Sequence, residues 1–139
     1  MKSTVYEDYK YSMQDVSGLY IGTRYTFGEL LKEEMIPFKF RLIVEHYILP
    51  KADLEDTLET HLYYLEPDSF LVQIYTQLKA RIKVNVIEEK KTPFGKPKKQ
   101  YVTKIMTAQQ LVGISPTEKE RLGMVVQELK VSKLAMMTL

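Results

Sequence analysis

Arg81-Ile82-Lys83-Val84-Asn85-Val86-Ile87 alternates β-branched with polar residues, the period of a strand with one wet face. Lys90-Lys91-Thr92-Pro93-Phe94-Gly95-Lys96-Pro97-Lys98-Lys99 follows, and Tyr101-Val102-Thr103-Lys104-Ile105-Met106 then reads as a return strand. Two prolines and a glycine forbid regular structure between the two runs, and five lysines keep that tip in water. The stretch is therefore read as a β-hairpin over about 81–106 with a basic tip.

Upstream of it, residues 70–80 fit both a helix face (Leu71, Ile74, Tyr75, Leu78) and a long strand. The cap residues Asp68-Ser69 and the helix formers Gln77-Leu78-Lys79-Ala80 favour a helix that changes into strand near Arg81. Residues 52–65 place Leu54, Leu58, Leu62 and Leu65 at helical spacing, with Asp53, Glu55 and Asp56 in the expected first turn. Residues 38–49 are ambiguous by period, and the flanking Pro37 and Pro50 favour a helix. Thr26 stands three residues before Glu29, the spacing of a reciprocal cap, and opens a helix that Pro37 ends or kinks. Residues 16–22 suggest a short strand between glycines.

Downstream, Ser115 and Glu118 repeat the capping spacing, and Pro116 suits a first helical position. Leu122, Val125, Val126 and Leu129 are read as that helix's buried stripe. The apolar tail 134–139 is expected to pack on its own core. The expected fold class is α+β, with four to five helices packed against a small antiparallel sheet centred on the hairpin and room for a short third strand. Residues 1–15, polar and carrying Tyr6, Tyr9 and Tyr11, are read as a separate arm, and 16–139 as a single domain.

A chain of 139 residues can bury a real core. It has no cysteine, which excludes disulfides, thiolate metal sites and a cysteine nucleophile. No run approaches the roughly 20 apolar residues of a membrane span, and no signal sequence is visible at the start. A cytoplasmic location without membrane contact is the expectation. The net charge of +2 hides an asymmetry: residues 1–69 hold 7 Lys and Arg against 13 Asp and Glu, while residues 70–139 hold 13 against 5. Such a split points to an anionic partner or to charged self-association.

Three functional readings follow. The first is a non-enzymatic interaction module with a protein partner, or a homodimer joined through acidic and basic faces. The second is DNA or RNA binding through the hairpin, where Lys83, Lys90, Lys91, Lys96, Lys98, Lys99 and Lys104 would meet phosphates and Phe94 would stack or wedge. The third, minor reading is a Mg-dependent nuclease, with Asp68 and Glu88 as metal ligands and Lys90 as electrophilic aid. No cofactor is implied. His46 and His61 lack the spacing of a metal pair, and His61, beside an apolar helix face, is read as structural. Residues 114–122 resemble the opening of the helix-turn-helix domains of bacterial response regulators over about one helix, mostly through the cap. No complete recognition helix is expected after them.

Overall fold

The computed structural model describes residues 18–34 and 36–139; the tyrosine-rich segment 1–15 lies outside them. Among the described residues the sheet has four antiparallel strands, β1 (Gly18–Gly22), β2 (Arg81–Lys90), β3 (Lys98–Met106) and β4 (Val125–Ser132), in the spatial order β1-β4-β2-β3. Along β2 the core-facing residues Ile82, Val84 and Val86 are buried, and the residues between them are half-buried. That alternation is the one-sided pattern read from the sequence.

Seven short α-helices accompany the sheet among the described residues: α1 (Phe27–Lys32), α2 (Phe38–Ile43), α3 (Leu58–Tyr63), α4 (Leu71–Gln77), α5 (Ala108–Val112), α6 (Pro116–Arg121) and α7 (Lys133–Met137). They exceed the four to five expected. Phe27, Leu30, Phe40, Ile43, Leu58, Leu62, Leu71 and Leu111 from these helices share one core with Ile21, Ile82, Val84, Val126, Leu129 and Val131 of the sheet. The fold is mixed α+β.

Several helices begin where local chemistry says they should. Thr26 accepts from the Glu29 amide at 3.1 Å, and the Glu29 carboxylate accepts from the Thr26 amide, completing the cap of α1. Residues 38–51 are continuously helical, with α2 passing into a π-helical turn at Val44–Ile48 and a 3-10 turn at Leu49–Lys51. Helix α4 does give way to strand at Arg81, through Lys79 at a φ of 53°.

Two expectations need correction. The helix placed over 52–65 starts only at Leu58, because residues 53–56 close a turn in which the Asp56 amide donates to the Asp53 carbonyl and the Asp56 carboxylate accepts from the Asp53 amide. Asp53, Glu55 and Asp56 therefore precede the helix; Thr57 is its cap. The tail is also divided: Met136 is buried and Leu139 half-buried against the core, while Leu134 and Met137 are exposed.

The larger correction is at the C-terminal end. The helix opened by Ser115 stops at Arg121, and Val125, Val126 and Leu129 belong to β4, a central strand. The strand carries a bulge: Val84 faces Val126 and Lys83 faces Glu128, so Gln127 is an extra residue. Val126 and Leu129 thus face the core three residues apart, which is helical spacing produced by a strand. Glu118 also departs from the expected reciprocal cap. Its amide donates to Ser115 at 3.2 Å, but its carboxylate turns to Arg121.

The switch from α6 to β4 turns on Gly123, at a φ of 56°. A side chain there would occupy the left-handed region and set a Cβ 2.7 Å from the Ile87 Cδ1 methyl. Gly123→Ala should cost about 1–2 kcal/mol in urea unfolding, mainly through the backbone. The cost should persist in an Ile87→Val background, which removes that methyl. An unchanged midpoint for Gly123→Ala would refute this account of the turn.

Candidate functional site

Beyond Ile87, β2 leaves the rest of the sheet. Its last pairing with β4 is Asn85↔Val125, and the Ile87 amide then donates to the Leu122 carbonyl at 2.7 Å. The next three register pairs, Glu88↔Gln100, Glu89↔Lys99 and Lys90↔Lys98, involve only β2 and β3. They form a two-stranded ribbon closed by residues 91–97.

The closure is a built turn. Gly95 donates its amide to the Thr92 carbonyl at 3.3 Å, with Pro93 and Phe94 between them, and the Thr92 hydroxyl donates to the Lys96 carbonyl at 2.9 Å. Pro93 supplies the fixed φ of the second turn position, and Gly95 takes a φ of 96° at the fourth. This turn holds the Phe94 ring in water at 96% exposure.

The candidate cations divide by position. Lys90, Lys91, Lys96, Lys98 and Lys99 are all exposed on the ribbon and its turn. None of them enters the ion pairs found among the described residues. Lys83 and Lys104, lower on the same strands, are half-buried and face carboxylates, Lys83 with Glu128 at 3.9 Å and Lys104 with Glu88 at 2.6 Å. Such pairs contribute roughly 0–1 kcal/mol, yet they neutralise the base of the ribbon. Glu89 faces Lys99 in register without an ion pair between them.

The cationic excess of residues 70–139 is therefore only partly on the ribbon. Lys119 is 3% exposed and donates to the Tyr63 carbonyl at 2.8 Å, satisfying the C-terminal end of α3. Lys130 is also buried, with its ammonium 5.2 Å from the Tyr20 ring. Arg121 pairs with Glu118, holding that carboxyl below its usual range and raising the guanidinium.

Two residues that the sequence reading does not number among the site candidates lie beside the arm. Tyr101, 67% exposed, is the register partner of Ile87 on the sheet face opposite the core. Its alternation with the core-facing Val102 was the available signal. Arg121 joins Ile87, Glu88, Glu89, Lys99 and Leu122 around a groove of about 550 Å³ at the base of the ribbon.

The nuclease arrangement needs Asp68 on a strand beside Glu88. Asp68 lies in the turn before α4, and Glu88 is engaged by Lys104. No group of three or more metal-ligating side chains is found among the described residues, and no described helix is long and apolar enough to cross a membrane. His61 packs between Phe27 and Tyr75, with centroids at 5.6 and 6.1 Å. It also borders a cavity of about 300 Å³ whose wall includes Lys51, Asp56, Thr60 and Glu66. No family model, curated protein or solved structure gives a significant match to this chain.

Proposed function

We propose that the protein is a non-enzymatic interaction module that docks on an anionic macromolecular surface through the β2–β3 arm. One observation carries the reading: among the described residues, five exposed lysines without a carboxylate partner sit on a two-stranded ribbon that no third strand joins. A ribbon of this kind holds its charges at fixed spacing, so less backbone freedom is lost on docking than with a floppy tail. Its lysines release counterions from whatever polyanion they meet. The exposed phenylalanine at the apex argues in the same direction, since solubility alone would favour a polar residue there.

A second copy of the chain is the competing partner. Asp53, Glu55, Glu66 and Asp68 are exposed on two turns of the acidic half, and docking of the arm on them would be a head-to-tail contact. Light scattering at low and high salt separates the two cases, because only self-association raises the mass of the protein alone at low salt.

The reading is tested on immobilised heparin, a polyanion without bases. The wild-type protein is expected to be retained at low salt. A variant with Lys90, Lys91, Lys96, Lys98 and Lys99 all changed to Gln should pass through. Equal elution of the two proteins would remove the arm from the function.

A further inference from the structure

We infer that the anionic partner of the arm is a single-stranded nucleic acid, whose bases stack on Phe94 and Tyr101 while the arm's lysines follow its phosphates. This rests on the reading of the arm as a polyanion-docking element and adds the class of partner. Two observations select it. Phe94 and Tyr101 are large rings held in water, at 96% and 67% exposure, one in the turn that closes the ribbon and one just below its foot on β3, and the lysines between them enter no ion pair among the described residues. Charge alone would suit any polyanion, but flat apolar faces are complementary only to a polyanion that carries flat apolar groups of its own. In a duplex those faces are covered by their neighbours in the stack; in a single strand they are free.

The layout suits such a strand. Tyr101 lies on the sheet face opposite the core, next to Ile87, with Thr103 and Lys99 two residues away on the same face. Tyr101 stands three residue steps from Lys98, roughly 10 Å of extended chain, and the turn bearing Phe94 begins just beyond. Tyr101 and Phe94 are thus separate platforms along one ribbon, with Lys96, Lys98 and Lys99 between them in sequence. The groove at the foot of the ribbon adds Arg121, although Glu88 and Glu89 line it as well. An anionic strand is therefore expected to place its phosphates on the upper ribbon and to reach this foot only through the base that stacks on Tyr101, next to Ile87. Because stacking accepts any base, little sequence preference is expected.

The test is fluorescence anisotropy with the full chain and three probes: a labelled 12-nucleotide single strand, the same sequence as a duplex, and labelled inorganic polyphosphate. Wild type should bind the single strand at least tenfold more tightly than the duplex or the polyphosphate. Phe94→Ala and Tyr101→Ala should each weaken single-strand binding by roughly 5- to 100-fold, the range of one lost stacking contact. Neither should change polyphosphate binding. Phe94→Tyr and Tyr101→Phe keep a ring and should restore affinity. Both positions are exposed, and circular dichroism of each variant confirms that it is folded.

Lysine-dependent binding of all three probes that ignores the ring substitutions would overturn this inference while leaving polyanion docking intact. Duplex binding equal to or tighter than single-strand binding would also overturn it. No binding of any probe would overturn both readings together.

Discussion

Leu129→Ala is expected to lower the unfolding free energy by about 2–5 kcal/mol, the range for truncating a fully buried leucine. Leu129 is 0% exposed on the central strand β4, between Ile21 of β1 and Ile82 of β2. Truncation leaves a hole where the sheet meets the helices, and β4 touches neighbours on both edges, so the surroundings cannot easily collapse into it. Val125, four residues earlier, lies half-buried on the other face of the same strand. Val125→Ala should cost less than about 1.5 kcal/mol. Had these residues formed a helix with a stripe of Leu122, Val125, Val126 and Leu129, the two truncations would cost similar amounts. Urea unfolding of both variants at neutral pH decides between the two arrangements.

The second large effect concerns pH. Burial of the His61 ring lowers its pKa from 6.5 to about 4, with the Asp56 carboxylate partly opposing the shift. In the unfolded chain His61 binds a proton near pH 6.5, whereas in the folded protein it stays neutral until about pH 4. The unfolded state therefore holds more protons between these values, and stability falls as pH falls. The group's contribution is fully present above pH 6.5 and reaches a loss of about 3 kcal/mol near pH 4. His61→Phe keeps an aromatic ring beside Phe27 and Tyr75 and removes the titration. The difference between wild type and this variant, followed by urea unfolding from pH 7.5 to 4, should change by about 3 kcal/mol over that window. A constant difference would place His61 in contact with water.

Much of the fold is legible in the residues where one local signal dominates. Thr26 with Glu29, the alternation from Ile82 to Val86, and the Leu71–Leu78 face all lead to the elements observed. Thr107 with Gln110 is another reciprocal cap, at 2.9 and 3.2 Å, and it starts α5. The same spacing rule applies to it, and α5 adds to the helices expected from the sequence. Over residues 52–65 the leucine spacing runs on through the Asp53–Asp56 turn, so period alone does not separate that turn from the helix that starts at Leu58. In β4 the obstacle was physical. A bulged strand places core residues three apart, and only the pairing with β1 and β2, far away in sequence, distinguishes it from a helix.

The arm was partly legible in the same way. Its lysines and Phe94 can be picked out by composition, since a turn rich in proline, glycine and lysine must be wet. Whether a given cation is available to a partner depends on neighbours that composition cannot supply. Lys83 and Lys104 lie on the same two strands as the five exposed lysines, yet Glu128 and Glu88 oppose them. Tyr101 reads from sequence as one more strand residue, and only its register with Ile87 puts it on the open face.

The most direct test of the arm is the salt dependence of its binding. Affinity for a labelled single-stranded oligonucleotide, measured between 50 and 300 mM NaCl, gives the slope of log K against log salt. Five phosphate contacts predict a slope near −3.5, at about −0.7 per contact for a single strand. Changing Lys96, Lys98 and Lys99 to Gln should make it shallower by about 2. A slope that stays the same after those three changes would contradict the assignment of binding to the arm.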